Sequence, residues 1–431
     1  MTSRTNGPVT NRRRLLLGAA GGAAAATLAG VSRAAEGRPG QVADAPRSDQ
    51  AHEIVPFHGE HQAGIVTPRP AAGMVVAFDT LAQTPEDTER LFRTLTERFR
   101  FLTTGGPVPE LDPKLPPADS GILGPVVSPD NLTLTLSLGH SFFAGRPWAE
   151  GLAPARLQRM AKFRNDALNP ELCHGDLSIQ ICANTADATI YALRDLLKAL
   201  PDLLVIRWKQ EGTVPILPPK ADGSTESARN FLGFRDGSAN PDSRVSTEMD
   251  RIVWVGADDA DEPAWAHGGS YQAVRIIRNF VERWDRTPLG EQERIIGRRK
   301  ASGAPFDGRQ ESDVPDYASD PDGAVTPLDA HIRLANARTP GSEKSLMLRR
   351  PFNYSNGVTK NGQLDQGLLF VSYQADLERS FIAVQRRLDG EPLEEYVKPV
   401  GGGYFFTLPG VRDGADFLGR PLLAAASLIP S

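Results

Sequence analysis

The chain has few residues of the kinds that build disulfides or metal clusters. Its 431 residues include two cysteines, Cys173 and Cys182, too few for a disulfide framework or a cysteine-bound zinc or iron–sulfur centre. Residues 176–182 alternate like a strand, which would hold the two thiols too far apart for a bridge, so both are expected to be free. The seven histidines are scattered along the chain, which favours a site with one histidine ligand over a histidine cluster.

The chain has no excess of positive charge, since 53 acidic residues outnumber 48 lysines and arginines. The formal net charge is -5, and residues 1–34 contain five arginines and no acidic residue, so the remainder carries -5 minus 5, or -10. Such a surface argues against nucleic acid or an anionic membrane as the partner. Long apolar runs are absent apart from one weakly apolar stretch, rich in Ala and Gly, at residues 15–31.

The N-terminus has the pattern of a twin-arginine export signal. Arg12 and Arg13 precede the apolar stretch, and residues 32–34 or 33–35 offer small side chains for cleavage. A membrane anchor is the competing interpretation. It is disfavoured because 17 residues of mostly Ala and Gly are short and poorly apolar for a hydrocarbon layer of about 30 Å. The pattern therefore predicts export to the periplasm, the cell envelope or the extracellular space.

Composition and apolar spacing divide the chain further. We predict a signal peptide at 1–35, a disordered leader at 36–54, an N-terminal domain at 55–213, a Pro-rich linker at 214–232 and a C-terminal domain at 233–427. Both domains show the order strand, helix, strand, strand, helix, strand. This order predicts an α+β fold with two ferredoxin-like domains.

A glycine-bracketed acid opens the second domain. Gly233 and Gly237 flank Asp236 in otherwise apolar surroundings, and glycine lets another surface approach closely. A buried carboxylate is costly unless it is paired or used. The alternative is a surface turn in which the aspartate hydrogen-bonds its own backbone. This motif therefore indicates a functional site only in combination with other motifs of the chain.

Two segments about a hundred residues downstream complete the pattern, residues 330–338 around His331 and residues 346–354 around an arginine pair. Together with residues 230–241 they resemble the dye-decolorizing peroxidase family, specifically its exported members linked to bacterial iron uptake. The resemblance spans about residue 54 to about residue 425. It continues through residues 56–65, 174–177, 393–396 and 401–406.

The resemblance implies a barrel in which the two ferredoxin-like domains pair as in a dimeric α+β barrel, and one haem b per chain. It implies that His331 is the proximal ligand of the haem iron. An acidic residue should accept a hydrogen bond from the other ring nitrogen of that histidine, which raises its basicity. The pair Glu394 and Glu395 matches the family's position for this acceptor, and we expect Glu395.

On the opposite haem face the family places an aspartate and an arginine, which correspond to Asp236 and Arg349. Residues 346–354 are predicted to be a strand, so Arg349 and Arg350 should point to opposite faces. The family's spacing of eighteen positions after the histidine selects Arg349, with Arg350 as the alternative. Pro351 stands where a glycine would be expected, which leaves the placement of the arginine open.

The implied activity is reduction of hydrogen peroxide with oxidation of an unidentified reducing substrate. Asp236 would move a proton between the peroxide oxygens and Arg349 would stabilise the developing negative charge, with best activity at acidic pH. The setting implied is iron acquisition, with an iron permease system and a second copy of the chain as further partners. Two alternatives remain, a haem-handling deferrochelatase that releases iron with incidental peroxidase activity, and a haem-free binding module of the same fold.

Overall fold

A computed structural model describes residues 49–218 and 226–426. The predicted signal peptide and most of the predicted leader lie outside the described residues. The part of the leader that is described has structure, because Asp49–His52 forms a 3-10 turn. The backbone carbonyls of Ala51 and Glu53 accept hydrogen bonds from the N–H groups of Asp130 and Asn131, at 2.9 and 2.8 Å. The prediction of disorder is therefore wrong for this last stretch of the leader.

The first half of the described chain alternates strands and helices. Its elements are β1 (Ala72–Thr80), α1 (Pro85–Thr104), β2 (Gly106–Pro107), β3 (Val126–Val127), β4 (Thr133–Gly139), α2 (His140–Ala144), β5 (Leu177–Ala183), α3 (Ala186–Ala199) and β6 (Leu204–Thr213). Helix α1 begins where the hydroxyl of Thr84 accepts a hydrogen bond from the N–H of Asp87, as N-cap residues do. Its apolar side is buried in the same core cluster as that of α3.

The four long strands of this half lie in the order β4-β5-β1-β6, and all neighbouring pairs are antiparallel. A strand–helix–strand–strand–helix–strand chain with the first strand between the third and the fourth is the ferredoxin-like arrangement. The prediction for the first half is confirmed.

The second half repeats this plan with longer connections. Its elements are α4 (Ser246–Ile252), β7 (Ser270–Asn279), α5 (Val281–Trp284), α6 (Leu289–Ile296), α7 (His331–Ala335), β8 (Leu348–Arg349), β9 (Phe352–Val358), β10 (Leu364–Gln374), α8 (Ala383–Arg387), β11 (Val397–Thr407) and α9 (Arg420–Ala425). The π-helical turn Glu378–Ile382 leads directly into α8. The order β9-β10-β7-β11 again places the first strand of the half between its third and fourth.

The predicted strand at 346–354 consists of the two pieces β8 and β9. Both pair with β10 in a single register, since Arg349 lies opposite Ser372 and Phe352 lies opposite Leu369. The interruption falls at Pro351, which lacks the N–H group that a continuous ladder requires.

The two halves join into one closed barrel. Strand β11 pairs with β4, β6 meets β9 at Thr213 and Asn353, and β7 pairs with both β10 and β11. The pairing around the sheet therefore returns to its starting strand, and the predicted α+β barrel of two ferredoxin-like units is confirmed. Within residues 49–218 and 226–426, no helix has the length and apolar character needed to cross a membrane.

Closure gives the sheet an inner and an outer face. The inner face carries Val75, Cys182 and Val371 from different strands in one buried cluster. Cys173 is also buried, and both cysteines are free, as predicted. On the outer face of β7 and β10 the helices leave a cavity.

Candidate functional site

A cavity of about 300 Å³ lies against the outer face of the second-half sheet. Its walls include Asp236, His331 and Arg349, which come from three separate segments of the chain. The volume is at the lower end of the range of small-molecule sites. The structure thus brings three of the predicted site residues around one shared space.

The loop that carries Asp236 depends on both glycines. Gly233 has φ 85°, in the left-handed region that favours glycine. At Gly237 a Cβ atom would lie 2.6 Å from the Cβ of Ser227. The N–H of Asp236 donates to the carbonyl of Ala228 at 2.9 Å, so this tight turn holds the acid on the cavity wall.

Asp236 balances burial against nearby positive charge. The side chain is half-buried, and its residue lines the cavity. Burial raises the pKa of Asp236, while Arg349, Arg69, His331 and a hydrogen bond from Asn230 act to lower it. The net shift is upward, so desolvation outweighs the charges. A carboxyl tuned in this way is suited to accept and return a proton.

Arg349 is attached to the same loop. Asn240 bonds its backbone twice, accepting from the N–H at 2.9 Å and donating to the C=O at 3.0 Å. The Nη2 of Arg349 donates to the carbonyl of Ser238 at 2.9 Å. Arg350 points the other way, and its guanidinium interacts with Tyr373 of the inner face. The predicted alternation is therefore observed, and Arg349 is the one that reaches the cavity.

His331 is the first residue of α7 and is oriented by a carboxylate. Its Nδ1 lies 2.7 Å from the Oε2 of Glu391, whose side chain is 6% exposed. Burial acts to lower the pKa of His331, but the charge and hydrogen bond of Glu391 raise it more, so the net shift is upward. Because Nδ1 is engaged, Nε2 is the ring nitrogen left for a ligand in the cavity.

The acceptor was expected at Glu395, and that prediction is wrong. The side chain of Glu395 is 61% exposed and lies 3.6 Å from Arg283, while Glu394 lines the cavity without a bond to His331. Only Glu391 is buried next to the histidine. The three acids lie within five residues, and no periodicity distinguishes them, so the turn at residues 388–391 decides which one faces inward.

The side chains present fit a haem. The walls are largely apolar, with Leu232, Ile277, Ile296, Leu368, Phe370 and Phe381 among them. Among the residues that the structure describes, no group of three or more metal-binding side chains occurs. A porphyrin brings four ligands of its own, so one imidazole supported by a carboxylate is the donor that iron would need from the protein. Fold and site together define a haem-binding α+β barrel with an acid and a guanidinium in its pocket.

Comparison with known proteins gives the family. The N-terminal model of Dyp-type peroxidases matches residues 62–213 and the C-terminal model matches residues 227–412. Deferrochelatases from Shigella boydii serotype 4 and Escherichia coli K12 are each 58% identical over 398 residues, covering 92% of this chain and 94% of the relative. The chain belongs to the Dyp-type peroxidase family, and it is a haem-dependent peroxidase.

Solved structures agree with this assignment. The DyP-type peroxidase of Cellulomonas bogoriensis is 35% identical, with a TM-score of 0.77, and the match covers 87% of this chain and 99% of that one. Ferric DtpA of Streptomyces lividans is 34% identical, with a TM-score of 0.77 and coverage of 88% and 100%. The matches therefore cover most of this chain and nearly all of each solved structure.

Replacing Glu391 should weaken the hydrogen bond that orients the ring of His331. We expect Glu391→Gln to lower haem affinity or peroxide turnover roughly 10- to 100-fold, because the imidazole loses its charged acceptor. Haem titration and steady-state peroxide assays measure the two effects. Glu395→Gln is the matched control and should behave like the wild type. Equal losses in both variants would contradict the assignment of Glu391.

Proposed function

We propose that His331 would hold the haem iron, that Glu391 orients this imidazole, and that Asp236 and Arg349 act on peroxide in the same cavity. The observation that carries the proposal is the convergence of His331, Asp236 and Arg349 on one cavity. When bound, a haem would supply the redox-active iron needed to couple reduction of peroxide to oxidation of a reducing substrate.

The acid and the guanidinium have distinct tasks. Ionised Asp236 accepts a proton from one peroxide oxygen and returns it to the other, which leaves as water when the O–O bond breaks. The reducing substrate then supplies the two electrons that, with two protons, convert the remaining oxygen to a second water. Arg349 stabilises the negative charge that develops as the O–O bond breaks. Arg349 is held by Asn240 and Ser238, so its position does not depend on the substrate. This pre-organisation lowers the cost of reaching the reactive arrangement.

The physiological setting that we propose is iron acquisition outside the cytoplasm. Its support is the likeness to relatives named deferrochelatase, a name that denotes removal of iron from haem. A second candidate function follows from the same observation, namely that haem is a substrate from which iron is released and that peroxide turnover is incidental. An iron permease system would then be the partner that receives the iron. That two copies of the chain form a homodimer stays a separate prediction, which light scattering would test.

The variant Asp236→Asn separates the two candidate functions. If peroxidase activity is primary, we expect peroxide turnover to fall about 10²- to 10⁴-fold, because the amide cannot accept the proton. Haem uptake, measured by absorbance of the reconstituted protein, should stay intact. Release of iron from haem is followed in the same samples with a coloured iron chelator and by recovery of iron-free porphyrin.

Asp242→Asn provides a control from the same loop, since Asp242 pairs with Arg244, whose side chain is 86% exposed. It should leave turnover and haem uptake unchanged. Asp236→Asn with normal peroxide turnover would refute the proposed proton transfer. Sustained iron release by a variant without turnover would favour the deferrochelatase function.

The dependence of kcat/KM for peroxide on pH should report the pKa of Asp236. A carboxyl with a raised pKa keeps its proton to higher pH, so it becomes a competent base only above that pKa. Arg349 acts to lower the pKa of Asp236. Arg349→Leu should therefore raise that pKa and move the acidic limb of the kcat/KM profile for peroxide to higher pH, in addition to lowering the maximum of kcat/KM. Arg349→Lys keeps the charge and should move the limb less. An acidic limb at the same pH in all three proteins would contradict this link.

We also propose export through the twin-arginine route, on the support of Arg12, Arg13 and the apolar stretch that follows them. Replacing both arginines by lysine should retain the protein in the cytoplasm of a host that has this route. Cell fractionation followed by immunoblotting measures the distribution. Unchanged export of the double variant would contradict the proposal.

A further inference from the structure

The guanidinium of Arg350 is enclosed inside the barrel with part of its hydrogen-bonding capacity unused. The residue is 5% exposed. Its Nη1 donates to the backbone carbonyl of Thr67. The buried Nε and Nη2 atoms, which form one edge of the planar group, have no hydrogen-bond partner of good geometry among the residues that the structure describes. The thiol of Cys182, a weak acceptor, interacts with the guanidinium. Buried polar groups are rarely left in this condition, and buried charges are normally paired.

Arg350 also lacks a counter-charge. No carboxylate in the described ranges forms an ion pair with it. The acidic groups that interact with it are the Cys182 thiol and the Tyr373 phenol. Burial raises the pKa of Cys182 to about 11 and also raises the pKa of Tyr373, so both groups are neutral near pH 7. Arginine remains protonated under these conditions, and its positive charge stays uncompensated by these neighbours.

A second guanidinium adds to the positive charge. Arg69 interacts electrostatically with Arg350, and burial lowers the pKa of Arg69 to about 10. Its Nη1 donates to the carbonyl of Pro351, the residue after Arg350. The carboxylate that interacts with Arg69 is Asp236, which Arg349 shares. Asp236 is thus shared by Arg69 and Arg349, and it is not among the groups that act on Arg350.

Two other buried arginines, Arg146 and Arg275, each have a carboxylate partner. Arg146 is 3% exposed, and its donors reach the carbonyls of Ala82 and Phe142 and the carboxylate of Asp176. Arg275 forms a buried ion pair with Asp166. The contrast indicates that the unused edge of Arg350 is a site for a ligand that brings negative charge.

We propose that the Nε and Nη2 edge of Arg350 binds a small monovalent anion of the halide class, such as chloride. An anion supplies both an acceptor for the two unused donors and the missing negative charge, whereas a water molecule supplies only the acceptor. The surrounding cluster contains apolar side chains such as Phe352, Leu348 and Val371. A monatomic ion suits such surroundings because it needs few donors.

Bromide replaces chloride and can be located by its anomalous scattering. Crystals of the haem-loaded protein grown in bromide should show an anomalous peak beside Nε and Nη2 of Arg350. A halide bound at the haem iron would appear in the cavity that Asp236, His331 and Arg349 line, on the other side of the sheet, so position distinguishes the two sources. Absence of a peak at Arg350, with the iron signal visible in the same map, would overturn the proposal.

Stability in solution provides the second measurement. At constant ionic strength, replacing gluconate by chloride should lower the unfolding equilibrium constant of the haem-loaded wild type, by about 10-fold when chloride is about ten times its Kd. Arg350→Met should lose this chloride dependence. Arg146→Met is the matched control, since it removes a buried guanidinium whose donors are bonded, and it should keep the dependence.

Loss of the dependence in both variants, or its persistence in Arg350→Met, would overturn the proposal. If Arg350→Met does not fold, the bromide map of the wild type decides the question by itself.

Discussion

Closure of the sheet into a barrel separates the cavity from the barrel interior. Strand β10 pairs with β7 along one edge and with β8 and β9 along the other. The approach is so close that a Cβ at Gly367 would lie 1.9 Å from the carbonyl oxygen of Ile277. A closed sheet has an inside and an outside that side chains cannot exchange. Successive residues of one strand are therefore committed to different environments.

Arg349 and Arg350 show the consequence of this separation. One peptide unit separates them, yet Arg349 lines the cavity and Arg350 is enclosed in the barrel. Pro351 interrupts the ladder without changing the register, so the alternation survives it. The outer guanidinium can assist chemistry, and the inner one creates a positively charged interior.

The site combines rigid backbone attachments with opposing electrostatic effects. Asn240 ties the strand of Arg349 to the loop of Asp236, and Glu391 fixes the ring of His331. These bonds leave little freedom for the functional groups to rearrange. At Asp236 the desolvation cost exceeds the attraction of the neighbouring charges, and at His331 the charge of Glu391 exceeds the desolvation cost. The direction of each pKa shift depends on how close the charged neighbour lies to the titrating group.

Much of the fold was predictable, because apolar side chains recur with strand and helix periods and because one half repeats the order of the other. Asp236, His331 and Arg349 were identifiable because each lies in a short motif with recognisable flanks. Glu391 and Arg69 were not, since no local pattern distinguishes them from neighbouring charged residues. The bonds of residues 49–54 to a distant loop were equally invisible in composition.

Sequence patterns were sufficient to predict the two ferredoxin-like units, the family and the three residues that meet in the cavity. Only the folded chain shows which acid supports His331, which arginine is enclosed, and whether burial or charge prevails at Asp236. The reason is physical. Periodicity and motifs are properties of neighbouring residues, whereas burial and electrostatic coupling depend on distances between segments that only the folded chain brings together.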